Sequence, residues 1–333
     1  MLSREGWATV SRWWILVHGD ADGVVTGALA LAGLGGEEKN VYFTHPAGLL
    51  EDLSVVIEGD NVFIGDVAIT KAHASRILEV LEKLSRHGQV IFIDHHPLPP
   101  GVSKSSFPGL LVHDTCCCSS ELARKFFGNK LSAEYDRLAI IGAVCDYLDE
   151  TPWVKQRLLD WDKRLVYFEA GVLSLGLEGS RGLHDFKRMV VKHLSEGGLP
   201  SGLSGLVVRA LIMAGLEEEH RQYVVREARA LKNVAYVVDP KGSIGRAAIY
   251  AMSARRKPVG LAIEKKKGLA VISARTRDER LDLNKLLSEI AEEHGGIGGG
   301  HIMAAGARVP WERLESFLER LDEKVTRILG GEE

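Results

Sequence analysis

Acidic and imidazole side chains follow the apolar runs of this chain at four points in its first 150 residues. The carboxyl ends of parallel strands meet at one edge of an open α/β sheet, so side chains that follow such strands lie close together. Carboxylate oxygens and imidazole nitrogens suit Mn²⁺ or Mg²⁺ better than an ion that prefers thiolates. The four points are His18-Gly-Asp20-Ala-Asp22-Gly23, Asp66 after VFIG, Asp94-His95-His96 after VIFI, and Asp146 after IIGAVC. Their residue types and positions predict a site for two divalent metal ions.

The first of these segments joins a short apolar run to a helix-length stretch that is rich in Ala and Leu. An irregular loop between the two could turn Asp20, Asp22 and His18 toward one point, and Gly23 would let the backbone approach closely. The alternative is an aspartate-rich turn that caps the helix, because Asp is favoured at turns and helix N-termini. Asp66 has the same two interpretations, as a helix N-cap or as a metal ligand at the sheet edge.

The Asp94-His95-His96 segment favours the metal interpretation for the whole set. Two adjacent histidines at the end of a buried strand point to different sides, so one can bind a metal while the other faces a substrate. Asp94 can orient an imidazole ring from behind. Asp146 lies in an apolar helical stretch, where a lone carboxylate is costly unless it is paired or bound to a metal. Two ions about 3.5 to 4 Å apart suit hydrolysis of a phosphoester, because they hold the charges on the attacking and leaving oxygens.

Short apolar runs alternate with helix-length segments in the part of the chain that carries these residues. Predicted strands are residues 41–44, 62–64, 90–93 and 110–112, and predicted helices are residues 71–87, a segment from residue 119, and residues 132–146. This alternation predicts an α/β fold with a doubly wound, mostly parallel sheet.

Glycine and serine become more frequent around residues 171–205, and the strand signal disappears there. Strands then return at residues 234–238, 259–263 and 269–273, with helices at residues 281–294 and 311–329. We therefore predict an α/β domain with the candidate metal ligands at residues 1–150, a helical connector at residues 151–231, and a second, smaller α/β domain at residues 232–333.

Composition excludes several classes of protein. The 45% hydrophobic content is that of a globular chain, and the apolar stretches are shorter than the roughly 20 residues of a membrane span. With no signal peptide pattern, the expected location is cytoplasmic. Four cysteines, three of them contiguous at residues 116–118, do not form a disulfide framework and predict small buried side chains near a helix start. The net charge of −3 means that contact with nucleic acid needs a local basic face.

A second group of polar residues lies near the C-terminus. Glycines at residues 295, 296 and 298–300 would let a loop expose backbone N–H groups to an anionic oxygen, and His301 follows as a donor. Arg275 and Arg277 come at the end of a predicted strand, where a guanidinium could hold a terminal phosphate with two hydrogen bonds. The alternative is a flexible linker.

These motifs together resemble the DHH phosphoesterases. HGDADG, Asp66, the triplet Asp94-His95-His96 and Asp146 are similar to motifs one to four of that family. SARTR at residues 273–277, LDLNKL and GGIGGGHIMAAG are similar to the accompanying DHHA1 domain. The resemblance covers about the first 150 residues and the last 100, and it leaves the middle uncovered.

The resemblance implies a role for each matching residue. Asp20 and Asp66 would hold one Mn²⁺, with His18 as a further ligand, although RecJ-like members carry an aspartate at this place. Asp22, Asp66, His95 and Asp146 would hold the other Mn²⁺, which makes Asp66 the bridge. Asp94 would orient its neighbours, and His96 would contact the scissile phosphate. The substrate-binding residues would be Arg275, Arg277, Gly298, Gly299, Gly300 and His301, and Mg²⁺ is the alternative metal.

The expected substrate is single-stranded DNA or RNA, or a short oligonucleotide. Basic clusters at residues 255–257 and 265–267 could follow a phosphate backbone, but they are also typical of solvated strand ends and a hairpin turn. We expect cleavage from one end to nucleoside 5′-monophosphates, with 3′ to 5′ polarity. The many charged helices resemble those of archaeal members that associate with replication or repair proteins.

Three alternatives remain open at this point. A small-molecule phosphodiesterase acting on linear or cyclic dinucleotides would use the same metal ligands with a different cleft. An inorganic pyrophosphatase would share them too, but that branch of the family lacks the glycine-rich DHHA1 tail. A non-catalytic replication or repair scaffold would be expected to have lost ligands, whereas this chain retains them all.

Overall fold

A five-stranded parallel sheet forms the frame of the first part of the chain. The computed structural model describes residues 12–331. The strands are β1 (Arg12–His18), β2 (Glu38–Thr44), β3 (Asn61–Gly65), β4 (Val90–Asp94) and β5 (Leu110–His113). Their order is β2-β1-β3-β4-β5, and every neighbouring pair is parallel. The predicted α/β fold with a parallel, doubly wound sheet is therefore confirmed.

Helices cover both faces of this sheet. They are α1 (Ala21–Gly33), α2 (Leu49–Asp52), α3 (Ala74–Ser85), α4 (Ser119–Phe127) and α5 (Glu134–Cys145). Successive side chains of a strand point to opposite faces, so Ile15 and Val17 of β1 pack in the core under α1, while Leu16 packs in the core under α3. Burial on both faces explains why β3 and β4 are continuous apolar runs rather than alternating ones.

Four further helices occupy residues 152–227. They are α6 (Pro152–Arg157), α7 (Lys163–Glu178), α8 (His184–Ser195) and α9 (Ser204–Glu227). The glycine- and serine-rich stretch is thus largely helical. α8 packs on α1, and its buried Val190, Val191 and Leu194 belong to the same core as α1.

A six-stranded mixed sheet forms the frame of the last part of the chain. Its elements are β6 (Arg229–Ala230), β7 (Val234–Val238), α10 (Ile244–Arg255), β8 (Val259–Lys266), β9 (Leu269–Thr276), α11 (Leu283–Glu293), β10 (Ile297–Gly300), β11 (Ala304–Pro310) and α12 (Leu314–Gly330). The order is β10-β11-β9-β8-β7-β6, and only the β7–β8 pair is parallel. Leu287, Ile290, Phe317 and Leu321 of α11 and α12 are buried in its core.

The chain divides into two compact units, Met1–Met213 and Ala214–Glu333. The domain boundaries predicted at residues 150 and 231 stay a prediction, and residues 1–11 and 332–333 of the predicted domains lie outside the described residues. Between residues 12 and 331, no helix has both the length and the apolar content that a membrane span requires.

Gly171 and Gly176 of α7 provide a test of the packing of α7 on α9, because only Gly176 lies against α9. Gly171 has open space where a Cβ would lie, so Gly171→Ala should stabilise the fold by about 0.5–1 kcal/mol through the unfolded chain. A Cβ on Gly176 would lie 2.5 Å from Leu206 Cδ1 and 2.8 Å from its carbonyl oxygen. Gly176→Ala should therefore destabilise by about 1–3 kcal/mol. Urea unfolding measures both, and effects of the same sign would contradict this packing.

Candidate metal centre

The register of the sheet brings three of the predicted site residues to one edge. Val17 pairs with Gly65 and Gly65 with Ile93, so β1, β3 and β4 end side by side. His18 is the last residue of β1, Asp94 is the last residue of β4, and Asp66 follows β3 directly. The sequence-based expectation that these strand ends meet therefore agrees with the geometry.

The first candidate metal group consists of His18, Asp20 and Asp66, each of which offers one ligand atom within 4.8 Å of the others. His18 Nδ1 lies 2.8 Å from Asp20 Oδ2 and 3.9 Å from Asp66 Oδ2. The other oxygen of Asp20, Oδ1, accepts the N–H of Gly23 and caps α1. Asp20 thus combines both interpretations of its motif. A Cβ on Gly23 would lie 2.4 Å from the His18 carbonyl oxygen, so this tight turn requires glycine.

The second candidate group consists of Asp22, His95 and Asp146. Asp22 is buried in the first turn of α1 rather than in an irregular loop. Asp146 ends α5, and its Oδ2 lies 3.6 Å from His95 Nε2. The carboxylates and the imidazole in this group come from α1, the segment after β4 and the end of α5.

Asp66 lies between the two groups. Its Oδ2 faces His18, and its Oδ1 lies 3.5 Å from His95 Nε2. Asp66, His95 and His96 form a third set of candidate ligands. The interpretation of Asp66 as a helix N-cap is wrong, because the next helix begins at Ala74.

The backbone of Asp66 has φ +60°, a conformation that costs a non-glycine residue about 1–3 kcal/mol. Its N–H donates to the carbonyl of Ile93 at 2.9 Å, which ties this turn to β4. Residues held in such conformations cluster at functional sites.

Asp94 fixes the ring of His96. Asp94 is 1% exposed, and its Oδ1 lies 2.9 Å from His96 Nδ1 while its Oδ2 accepts the His96 backbone N–H at 3.2 Å. His113 Nε2 donates to the His96 carbonyl at 2.7 Å. With Nδ1 taken, Nε2 of His96 is the ring nitrogen that remains for other partners. The orienting role of Asp94 and the phosphate-contacting role of His96 stay predictions.

Burial and mutual repulsion govern the protonation of the carboxylates. Burial, followed by the charges of Asp22 and Asp20, raises the pKa of Asp66 well above its ordinary value and raises the pKa of Asp146 to about 7. Burial also raises the pKa of Asp22. Burial acts in the same direction on Asp20, but the hydrogen bond and the charge of His18, together with the hydrogen bond from the Gly23 N–H, leave the pKa of Asp20 lowered.

These residues fit a pair of divalent cations. Crowded buried carboxylates need positive charge. The hydrogen bond to Asp20 raises the pKa of His18, but burial lowers the pKa of His95, so the two imidazole rings supply little of that charge. The donors are carboxylate oxygens and imidazole nitrogens, which Mn²⁺ accepts readily and Mg²⁺ accepts through the oxygens.

The first turn of α4 contains two site residues that the sequence did not reveal. The backbone N–H groups of Ser119 and Ser120 donate to Asp22 Oδ2 and Oδ1 at 2.8 and 3.0 Å. The Ser119 hydroxyl donates to Asp66 Oδ1 at 3.0 Å. The run of cysteines before these two serines predicted that a helix starts here. Only the fold shows that the serines contact the carboxylates of Asp22 and Asp66. Cys117 and Cys118 are buried next to this turn, as predicted, but the prediction is wrong for Cys116, which is exposed.

Lys187 of α8 is a third residue that the sequence did not reveal. It is only 9% exposed, and its Nζ donates to the carbonyl of Gly19, inside the HGDADG segment. No sequence motif around Lys187 indicates that it lies at the site.

The predicted substrate-binding residues lie in the second unit. The glycines form the edge strand β10 instead of a loop, with Gly298 opposite Ala307 and Gly300 opposite Ala305. The N–H of Gly300 donates to Asn284 Oδ1 at 2.9 Å, and a Cβ on Gly298 would lie 2.3 Å from the Leu287 carbonyl oxygen. Close packing on α11 and β11 therefore accounts for these glycines structurally.

His301 and Arg277 are exposed near the same end of this sheet, where the Thr276 N–H donates to the Met303 carbonyl at 3.1 Å. Arg275 is half-buried on β9, and its Nη1 donates to Ser273 Oγ and to the Ala274 carbonyl.

The raised pKa values predict a pH dependence for protein stripped of divalent ions with EDTA. Between about pH 4 and 7 the folded protein keeps a proton on Asp146 that the unfolded chain has released, and the raised pKa of Asp66 acts in the same direction. These groups therefore favour unfolding as the pH rises. Asp146→Asn should flatten this decline, and added Mn²⁺ should stabilise more at pH 7.5 than at pH 5. Thermal unfolding of the wild type and of Asp146→Asn at several pH values measures this dependence of stability on pH. A steeper decline in Asp146→Asn than in the wild type would contradict the assignment.

Two comparisons of sequence bear on this chain. Residues 232–327 match the model of the DHHA1 domain. The chain is also 34% identical over 114 residues to the uncharacterised protein MJ0831 of Methanocaldococcus jannaschii. That match covers 32% of this chain and 26% of the relative, so the chain spans about a quarter of that protein's length.

Solved structures resemble the whole chain. The pGpG-specific phosphodiesterase PggH from Vibrio cholerae matches with a TM-score of 0.62 at 14% identity, over 96% of this chain and 99% of that one. RecJ from Thermus thermophilus, in complex with Mn²⁺, matches with a TM-score of 0.68 at 18% identity, over 95% of this chain and 52% of that one. At these identities the likeness concerns the fold. Residues 232–327 therefore match a DHHA1 domain, and the fold of the chain resembles the folds of PggH and RecJ.

Proposed function

We propose that this chain is a metal-dependent phosphodiesterase that hydrolyses single-stranded nucleic acid or short oligonucleotides to nucleoside 5′-monophosphates, with Mn²⁺ as its metal. The observation that carries the proposal is the pair of candidate metal groups joined through Asp66, whose two oxygens face His18 and His95. Two divalent ions in such a site would stabilise the charges that develop on the attacking and leaving oxygens of a phosphoester.

The side chains around the metal groups complete the proposed chemistry. His96 would present Nε2 as a hydrogen-bond donor to a phosphate oxygen in its protonated form, because Nδ1 donates to Asp94. Burial opposes the charge on this ring, but the hydrogen bond and the charge of Asp94 leave the pKa of His96 raised. The N–H groups of Ser119 and Ser120 fix the Asp22 carboxylate, so its direction does not change when a substrate binds. The first unit thus supplies a prearranged set of ligands and one donor.

The second unit supplies the proposed grip on the substrate. We assign Arg275, Arg277, His301 and the glycines Gly298, Gly299 and Gly300 to binding of a terminal phosphate, and we propose 3′ to 5′ polarity. The exposure of Arg277 and His301 supports this assignment, because neither side chain is committed to the core. A cytoplasmic location and a replication or repair partner are proposed from the sequence alone.

A phosphodiesterase acting on linear or cyclic dinucleotides is the second candidate. One observation favours it: the fold match spans 99% of PggH, a pGpG-specific phosphodiesterase, against 90% of an exonuclease RecJ bound to manganese and 52% of the Thermus RecJ chain. A scaffold without catalysis is disfavoured, because all of the predicted ligands stand within the candidate metal groups.

A time course with end-labelled strands of about two to twenty nucleotides, as DNA and RNA, and with a cyclic dinucleotide tests the proposal in Mn²⁺. Successive mononucleotide steps on the longer strands would support the exonuclease and give its polarity. Cleavage confined to dinucleotides would favour the second candidate. No hydrolysis of any of these substrates with Mn²⁺ or Mg²⁺ would refute both.

Asp66→Asn should reduce the turnover number more than about 100-fold, because loss of a bridging ligand should exceed the 10- to 100-fold effect of residues behind the ligands. The measurement is the rate of mononucleotide release in saturating Mn²⁺. Glu79→Gln, at an exposed position of α3, is the matched control and should leave the rate unchanged. Asp66→Asn activity above about 1% of wild type would argue against the bridging role.

His301→Ala should raise KM by about 10-fold while leaving the Mn²⁺ content unchanged, since it removes one charge-assisted donor to the substrate. Steady-state kinetics and elemental analysis of the metal give the two readouts. Ile302→Ala, at the exposed neighbouring position, is the control. Loss of Mn²⁺ from His301→Ala would place His301 among the metal ligands instead.

A further inference from the structure

A buried ammonium group lies beside the first candidate metal group. Lys187 belongs to α8, and its Nζ donates a hydrogen bond to the carbonyl oxygen of Gly19, between His18 and Asp20. The same Nζ lies 5.9 Å from the centre of the Phe43 ring. α8 thereby places a positive charge against the loop that carries two of the predicted metal ligands.

The surroundings of this ammonium do not neutralise it. A buried lysine is usually paired with a carboxylate, because desolvating an unpaired charge is costly. Among residues 12–331, Lys187 takes part in no ion pair; its hydrogen bond goes to a neutral carbonyl. An ammonium has three N–H donors, so two remain beyond the bond to Gly19. The cost of burying this charge is therefore not explained by contacts within the described chain.

The position of the charge is informative because the neighbouring residues His18, Asp20 and Asp66 form a candidate metal group. A fixed positive charge next to a divalent cation repels it, and this placement weakens metal binding unless an anion lies between them. A phosphate group does this, because its oxygens contact a metal ion and an ammonium at once. The charge of Asp20 attracts the ammonium, but among the described residues no carboxylate oxygen lies within 4.0 Å of Lys187 Nζ, and the two oxygens of Asp20 face His18 and the N–H of Gly23.

We propose that Lys187 is a phosphate-binding residue of the metal centre, whose ammonium contacts a non-bridging oxygen of the substrate or product phosphate. The inference rests on the proposed function only for the choice of a phosphate ester as the ligand. It assigns a ligand contact to the part of the chain, residues 151–231, that the DHH resemblance leaves uncovered.

Lys187 could instead serve only to position the Gly19 carbonyl, and two substitutions separate the roles. Lys187→Gln keeps a hydrogen-bond donor but removes the charge, and Lys187→Met removes both. If the charge binds phosphate, both variants lose affinity for it. If the hydrogen bond positions the loop, Lys187→Gln retains function and Lys187→Met weakens Mn²⁺ binding. Lys192→Met removes a charge from an exposed position of the same helix and is the control.

The test is calorimetric titration of the full chain, first with Mn²⁺ alone and then with 5′-AMP in saturating Mn²⁺. We expect both Lys187 variants to bind 5′-AMP about 10- to 100-fold more weakly, with Mn²⁺ affinity unchanged or tighter and Lys192→Met like wild type. Thermal unfolding confirms that the variants fold; if Lys187→Met does not, the result for Lys187→Gln decides.

Three results would overturn the inference: unchanged 5′-AMP affinity in the Lys187 variants, weaker Mn²⁺ binding in Lys187→Met with normal behaviour of Lys187→Gln, or no 5′-AMP binding by the wild type. Failure of the proposed function has a different signature. In that case the wild type binds 5′-AMP through Lys187 but cleaves no phosphodiester.

Discussion

Repulsion among buried carboxylates is the constraint on which the arrangement of the first unit depends. Asp22 and Asp66 are buried and Asp146 is half-buried beside them, and this loss of solvent, with repulsion from the neighbouring carboxylates, raises the pKa of each of them. Backbone N–H groups at the start of α4 compensate the charge of Asp22, and His95 faces both Asp66 and Asp146. The remaining negative charge is what makes the site suitable for divalent cations, since a neutral cluster would have no need of them.

The fold can tolerate this cluster because the sheet beneath it is rigid. β3 and β4 are buried along their whole length, and their ladder continues through the bond from the Asp66 N–H to Ile93. The strained φ of Asp66 is stabilised by that bond and by the Ser119 hydroxyl on its carboxylate. A mobile loop could not hold such a conformation, so the apolar strands are as necessary to the site as the ligands that follow them.

The features that could be predicted from the sequence are those that depend on neighbouring residues in the chain. Apolar runs that end in Asp or His predicted the strands and their shared edge, because strand direction and sheet order follow from alternation with helices. Contacts between residues that are far apart in the chain could not be predicted in this way. Asp22 and Ser119 are 97 positions apart, and Lys187 reaches Gly19 from 168 positions away. The residues around each partner do not indicate the other partner. These two contacts are therefore seen only in the packing of α4 and α8 on α1.

The glycines near the C-terminus can be explained either by ligand binding or by the close packing of a strand. They predicted a loop because glycine is uncommon in strands, yet they form β10. A Cβ on Gly298 would meet the Leu287 carbonyl, and one on Gly300 would lie 2.6 Å from the Ala305 Cα. Loss of activity in a glycine variant would therefore report the packing of β10 as much as any ligand. His301, which is exposed and follows the strand, separates the two effects because its side chain supports no core.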